Sequence, residues 1–218
     1  KNSLNKSKDD QLKIDSRIDK IVVIDDACPE KTGEYVIKNS IDPRVVVVTH
    51  SQNQGVGGAT MSGYRKALEL NSDIIVKIDG DGQMDTKNIN KLITPILKGQ
   101  ADYTKGNRFH SPDNLSTMPK IRLMGNLLLS FASKMSSGYW RIFDPTNGFT
   151  AIHGKVLKEL PLDKISKDYF FESDMLFRLN ITRAVVCDIP MKAIYADETS
   201  NLKISKILMP FARKHIIN

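Results

Sequence analysis

Lys77-Ile78-Asp79-Gly80-Asp81-Gly82-Gln83 follows directly on the apolar run Asp73-Ile74-Ile75-Val76. The run reads as a buried strand that ends in an acidic, glycine-rich turn. Two carboxylates one residue apart at a strand's end can face the same bound ion. Gly80 and Gly82 let the backbone bend there and let a bulky ligand approach. Oxygen donors of this kind suit Mg²⁺ or Mn²⁺, ions that keep positions open for substrate phosphates. The stretch points to a metal–diphosphate site, with Asp79 and Asp81 as ligands and Gln83 as a further or water-mediated one. Taken alone it has a plainer explanation, because Asp and Gly are ordinary turn residues.

Neighbouring segments favour the site. Ile21-Val22-Val23-Ile24-Asp25-Asp26 is a second apolar run ending in acid. Val45-Val46-Val47-Val48-Thr49-His50 is a third, followed by Asn53-Gln54-Gly55-Val56-Gly57-Gly58-Ala59. Strand 21–25 leads to a helix near 31–40, and strand 45–49 to a helix over 58–70. Strand 74–79 leads to a helix near 86–98, started by Thr86-Lys87-Asn88-Ile89 and ended by Gly99. Strand 102–106 follows, and 148–152 and 184–189 read as later strands in a mixed part of the sheet. This alternation predicts an α/β fold, a mostly parallel, Rossmann-like open sheet with helices on both faces.

In such sheets ligands bind at the carboxyl ends of strands, where these turns fall. Asp25 and Asp26 are candidates to accept from a base N–H or a ribose hydroxyl. Their alternative role is that of acids at a helix N-terminus. Asn53, Gly55, Gly57 and Gly58 are candidates to let backbone approach the nucleotide, or else form a tight turn without a ligand. Their spacing is not that of a dinucleotide fingerprint. Arg108 ends a strand on the ligand side, and Arg suits bidentate phosphate contact. Arg122 stands after a loop over 110–120 rich in Pro, Asp, Asn and Ser, which reads as a flap over the site.

The chain of 218 residues is long enough for one sizeable core. Its net charge of +7 serves solubility, or draws diphosphate donors, phospholipid acceptors and an anionic leaflet. No basic run interleaved with stacking aromatics appears, which argues against nucleic acid. The sequence shows no apolar run of bilayer-spanning length and no secretory signal. Cys28 and Cys187 are too few for a disulfide framework and fit a reducing, cytoplasmic setting.

The chain starts at Lys1, and residues 1–20 are polar without a visible strand. We expect this segment to be incomplete, with a strand upstream of Ile21 covering the sheet edge beside Asp25. Ile121, Met124, Leu128, Phe131 and Met135 recur at helical spacing and are expected to pack in the core, with a lipid-facing groove as the alternative. Tyr139, Trp140 and Phe143 are expected in the core as well, rather than stacked on sugar or lipid. Residues 202–218 set apolar side chains among Lys203, Lys206, Arg213, Lys214 and His215. They form a basic amphipathic helix, suited to a membrane interface or to an ordinary surface.

Five pieces together resemble family 2 glycosyltransferases of the GT-A fold, close to the dolichyl- or polyprenyl-phosphate mannosyltransferase group. They are Ile24-Asp25-Asp26-Ala27-Cys28-Pro29-Glu30-Lys31-Thr32, Asn53 to Ala59, Ile78 to Gln83, Gly106-Asn107-Arg108 and Asp144-Pro145-Thr146-Asn147-Gly148-Phe149. The resemblance implies an inverting, metal-dependent enzyme whose catalytic domain spans 21–201. It implies transfer of a hexose from a UDP- or GDP-linked sugar, with Mg²⁺ or Mn²⁺. The implied acceptor is polyprenyl phosphate or a lipid-linked saccharide at the cytoplasmic face of the membrane, with transmembrane segments following in related enzymes.

By the same resemblance, Asp79 touches the donor and Arg108 and Arg122 contact phosphates. Asp144 lies by the acceptor as base or orienting group, and Glu172 and Asp174 stand where many members carry an adjacent Glu-Asp pair. Here Ser173 separates the two acids, which leaves both as catalytic candidates. The first strand with its nucleotide-touching turn is absent from the given sequence. The Arg-x-x-Gly-x-Ser-Lys segment of the phosphomannosyl branch is replaced by Asp197 to Lys203, where Ser200 and Lys203 stand in as phosphate contacts. The rival readings are a sugar nucleotidyltransferase and a nonenzymatic sugar-nucleotide-binding module.

Overall fold

The computed structural model describes residues 18–110 and 130–191. The upstream segment, the loop over 111–120, Ile121, Arg122, Met124, Leu128, Ser200, Lys203 and the basic C-terminal helix lie outside the described residues. In chain order the elements are β1 (Ile21–Asp25), α1 (Thr32–Asn39), β2 (Val45–Thr49), α2 (Gly55–Glu69) and β3 (Ile74–Lys77). A single 3₁₀ turn, Thr86–Asn88, leads into α3 (Ile89–Leu97), followed by β4 (Tyr103–Asn107). Residues 130–137 are helical and are called α4. β5 (Thr150–His153), α5 (Gly154–Glu159), α6 (Phe171–Ile181) and β6 (Val186–Pro190) complete the set.

β1 and β2 pair in parallel, with Ile21 opposite Val45. The other strands form a four-stranded sheet in the order β3-β5-β4-β6. β4 and β6 are parallel, whereas β5 runs antiparallel to both β3 and β4. The α/β class therefore stands, and the mixed part expected among the later strands lies where β5 runs antiparallel. An antiparallel neighbour needs no crossover helix, so the chain between β4 and β5 is released from that duty.

β5 also divides the core. Ile152 packs with Met61 and Tyr64 of α2, Leu157 of α5 and Met175, Leu176 and Leu179 of α6. Phe149 and Ala151 pack with Ile89, Leu92 and Ile96 of α3. Successive side chains on a strand point to opposite faces, so β5 feeds a cluster on each side of the sheet. Helices thus cover both faces. The predicted core positions Phe131, Met135, Trp140 and Phe143 do not join either cluster: all four are exposed.

Carboxylates fasten the helix ends. Asp25 accepts from the amides of Cys28 (2.8 Å) and Gly33 (2.6 Å), closing the turn into α1. Asp26 accepts from the amides of Gln54 (2.8 Å) and Gly55 (2.9 Å) at the start of α2. His50 Nδ1 lies 2.7 Å from Asp26 Oδ1, and its Nε2 lies 2.9 Å from Ser62 Oγ. A carboxylate only accepts, so Nδ1 carries a proton. Burial alone would raise the Asp26 carboxyl; the His50 bond and the two amides outweigh it and hold its pKa below the usual value. Gly57 and Gly58 donate their amides to the Lys167 carbonyl, and a Cβ on Gly57 would collide with the backbone of Ser166 and Lys167.

Asp188 on β6 binds two segments at once. Its Oδ2 accepts from Asn107 Nδ2 and from the Phe143 amide, both at 2.9 Å. Burial pushes its carboxyl up to about 6; Asp144 adds to the rise, and the Phe143 amide, Lys105 and Asn107 oppose it.

Two stability measurements check this account. Asp26→Ala strips α2 of its terminal acceptor and His50 of its partner, so the denaturant midpoint should fall by the equivalent of about 1–3 kcal/mol. For Asp188 the folded chain holds a proton more tightly than the unfolded one. Its contribution is full below the usual value of 3.8 and is lost as pH rises through about 6. Asp188→Asn keeps an acceptor without the charge. It should raise the melting midpoint at pH 7.5 by the equivalent of roughly 1–2 kcal/mol and change little at pH 4.5. An equal effect at both pH values would remove Asp188 as the titrating group.

Candidate active site

β3 delivers Lys77 to its carboxyl end, and the chain then turns through Asp79, Gly80 and Asp81. Lys77 Nζ lies 2.6 Å from Asp79 Oδ1 and 3.9 Å from Glu172 Oε1. The same ammonium stands over the Phe171 ring at 5.1 Å. Asp79 remains about one-third exposed, while Lys77 is 11% exposed. Asp81 is exposed, and its Oδ1 accepts from the Gln83 amide at 2.9 Å. A Cβ on Gly80 would meet nothing within 4 Å, so the turn is open at that position. Gln83 thus supports Asp81 through its backbone.

The Asp144 to Phe149 segment closes over this pair from the other side. At Gly148 a Cβ would run into Asp79 Oδ2 and stand 2.5 Å from Lys77 Nζ. Only a residue without a side chain lets the segment approach so closely. The preceding Asn147 offers its carbonyl to Lys105 Nζ, a fully buried ammonium on β4. Burial pulls the Lys105 pKa down, against the pull of Glu172 and Asp144. Burial pushes the Glu172 carboxyl up, against Lys105 and Lys77. The two lysines and Glu172 thus share a region of low water content, where charges act at longer range than in solvent.

Asp144 has no exposed surface, and both its oxygens are given to Arg108. Oδ2 accepts from Arg108 Nε at 2.7 Å and Oδ1 from Nη2 at 2.9 Å. Asp144, expected by the acceptor as base or orienting group, clamps the arginine expected to meet phosphate. Arg108 itself keeps 32% of its side chain exposed. Asp174, the other half of the Glu-Ser-Asp set, turns away. It accepts from the Ser166 amide at 2.7 Å and pairs with Arg178 at 3.1 Å, one helical turn along. Of the two acids on α6, only Glu172 reaches the Lys77–Asp79 pair.

The nucleotide candidates divide in the same way. Asp25 and Asp26 have their oxygens committed to backbone amides and His50, as described above. The close approach permitted by Gly55 and Gly57 is made by the chain's own Lys167, and that at Gly58 by the Gln54 side chain. Asn53 donates to the Asp26 carbonyl at 3.2 Å and accepts from the Gly55 amide at 3.0 Å. Sequence reasoning missed Lys77 and Lys105. The signal was present: a lysine at the end of one apolar strand, and a lysine inside Tyr103-Thr104-Lys105-Gly106, a strand buried along its whole length.

Among the described residues no three His, Cys, Asp or Glu side chains gather as a self-sufficient metal cage. The donor set that is present, two strand-end carboxylates beside open space, fits a hard divalent ion that completes its shell with phosphate oxygens and water.

The model of the family described as Glycosyl transferase family 2 matches residues 3–161. The chain is 32% identical over 194 residues to the UDP-N-acetylglucosamine–dolichyl-phosphate N-acetylglucosaminyltransferase of Methanococcus voltae, covering 82% of this chain and 76% of that protein. It is 30% identical over 173 residues to the undecaprenyl-phosphate mannosyltransferase of Micrococcus luteus, covering 78% and 70%. Glucosyl-3-phosphoglycerate synthase from Mycobacterium tuberculosis shares the fold. Its complex with UDP aligns at a TM-score of 0.63 and 20% identity, over 98% of this chain and 72% of that one. Its complex with Mn²⁺ and UDP-glucose aligns at 0.56 and 14% identity, over 97% and 82%. With a family match over most of its length and relatives that carry sugars to lipid phosphates, the chain belongs to glycosyltransferase family 2 and is a glycosyltransferase of GT-A-like fold.

Proposed function

We propose that this chain moves a hexose, with inversion, from a nucleoside-diphosphate sugar to polyprenyl phosphate or a lipid-linked saccharide. The observation that carries the reading is the meeting of the Asp79-Gly80-Asp81 turn with Lys77, Glu172 and Gly148 at the end of β3. Two relatives at 30% identity or more are named for dolichyl- and undecaprenyl-phosphate acceptors, and the structural neighbour was solved with UDP-glucose and Mn²⁺. One is named for a UDP-linked donor and the other for a mannosyl transfer, so the donor class is written as UDP- or GDP-linked. The catalytic unit is residues 21–201, working at the cytoplasmic face of a membrane. The basic segment 202–218 lies on its C-terminal side.

Asp79 and Asp81 would hold Mg²⁺ or Mn²⁺. When bound, the ion would neutralise charge that builds on the departing diphosphate. Lys77 adds a fixed positive charge beside Asp79 in a poorly solvated position, where it opposes the same negative charge. Arg108, squared up by Asp144, presents a cation suited to a phosphate oxygen. Glu172 is the carboxylate placed to take a proton from a saccharide hydroxyl. A phosphate acceptor arrives as an anion and needs no base, so Glu172 then serves to balance Lys77 and Lys105.

Calorimetry and kinetics separate these roles. Asp81→Ala removes an exposed ligand without touching the core, and Mn²⁺-dependent binding of UDP or GDP should weaken by about tenfold or more while the fold stays intact. Unchanged affinity would reject the metal site. Glu172→Gln should lower turnover on a hydroxyl acceptor by about 10²-fold with donor affinity nearly unchanged, because a base acts only in the transition state. Turnover within a factor of about two on every acceptor would remove Glu172 from the chemistry.

A further inference from the structure

Helix α4 is inside out. Ser130, Ser133 and Ser137 face the protein and are 6%, 2% and 2% exposed. Phe131 and Met135, one turn apart, face outward at 58% and 62%. Among the described residues the buried Ser133 hydroxyl has no hydrogen-bond partner. A helix in contact with water arranges these residues the other way, with the large apolar side chains in the core. The following turn continues the outward face. Trp140 is 58% exposed and meets the Phe131 ring edge-on at 6.4 Å, and Phe143 is 53% exposed. Lys134 Nζ sits 3.6 Å from the centre of the Phe143 ring, and Arg141 is exposed.

We propose that this face, Phe131, Met135, Trp140 and Phe143 with Lys134 and Arg141, docks on an anionic phospholipid leaflet. Three features select a lipid surface over a protein partner. Trp and Phe with flanking Lys and Arg are the side chains that settle at the boundary between headgroups and acyl chains. Over residues 130–143 the sequence holds Lys134 and Arg141 and no acidic residue, which complements a negative leaflet. The face is also continuous with the site, because Phe143 directly precedes Asp144, the clamp on Arg108. Docking here would bring Arg108 towards the headgroup layer, where a lipid-linked phosphate presents its charge. The inference rests on the lipid-linked acceptor proposed above for its purpose, and its test does not need that acceptor.

Trp140 is the sole tryptophan of the chain, so its fluorescence reports this face alone. The protein is mixed with vesicles of phosphatidylcholine containing phosphatidylglycerol, and separately with phosphatidylcholine alone. With the anionic vesicles Trp140 emission should shift to the blue and be quenched by lipids brominated in their acyl chains. The double variant Phe131→Ser, Met135→Ser should weaken vesicle partitioning by about tenfold or more, with its thermal midpoint maintained. Lys134→Gln with Arg141→Gln should weaken it on anionic vesicles and restore behaviour close to that on phosphatidylcholine.

Three results would overturn the proposal. One is the absence of binding, and another is sedimentation with vesicles while Trp140 stays unquenched. The third is a blue shift that grows with protein concentration without vesicles, which would assign the face to a second copy of the chain. Transfer to a short, water-soluble polyprenyl phosphate is measured on the same preparations. Transfer without docking discards the surface and leaves the acceptor reading intact. Docking without transfer does the reverse.

Discussion

Two lysine ammonium groups held away from water set the terms for the rest of the site. Lys105 is fully buried in the middle of the sheet, and Lys77 is nearly so at the end of β3. A buried charge without partners costs several kcal/mol. The fold answers with Asp79 and Glu172 for Lys77, and with the Asn147 carbonyl and the fields of Glu172 and Asp144 for Lys105. These groups come from β3, β4, α6 and the segment before β5. The antiparallel course of β5 is what lets that last segment arrive beside the first two. Electrostatic balance and sheet topology are therefore one arrangement, and the space beside Asp79 and Asp81 is its open end.

The remaining acids hold the frame. Asp25, Asp26, Asp144 and Asp174 each engage backbone amides or a cation through two or more hydrogen bonds or ion pairs. A carboxylate so engaged fixes whatever it holds. Asp144 fixes Arg108, and Asp174 fixes the Ser166–Lys167 loop on which the start of α2 rests. The frame around the end of β3 is thus held by these carboxylates.

Much of the frame could be read in the sequence. Strands 21–25 and 45–49 were legible to the residue, because each apolar run is cut off by Asp or His. The direction of β5 was not legible, since a short apolar run has the same pattern whichever way it pairs. The period of Phe131 and Met135 announced a helix correctly. Periodicity says that two residues share a face and is silent on the medium that the face meets. The acids pose a similar ambiguity: Asp-Asp after a strand suits a ligand and a helix cap equally well, and it takes the amides of Gln54 and Gly55 to show Asp26 at the start of α2. Lys77 and Lys105 escaped because a lysine in a sequence is read as surface until its neighbours are known.

The order in which the partners occur along the chain bears on how this protein is made. Lys77 and Lys105 leave the ribosome well ahead of Asn147, Gly148 and Glu172. Until those residues emerge, desolvating either ammonium is unfavourable, so β3 and β4 have reason to stay hydrated and unpaired. β4 also awaits β6, its parallel neighbour, which follows more than 75 residues later. Contacts this distant in sequence close slowly and late. Nascent chains should therefore keep this sheet open through most of translation and assemble it in one step near the end. That leaves β3 and β4 in need of shielding from other chains during the interval.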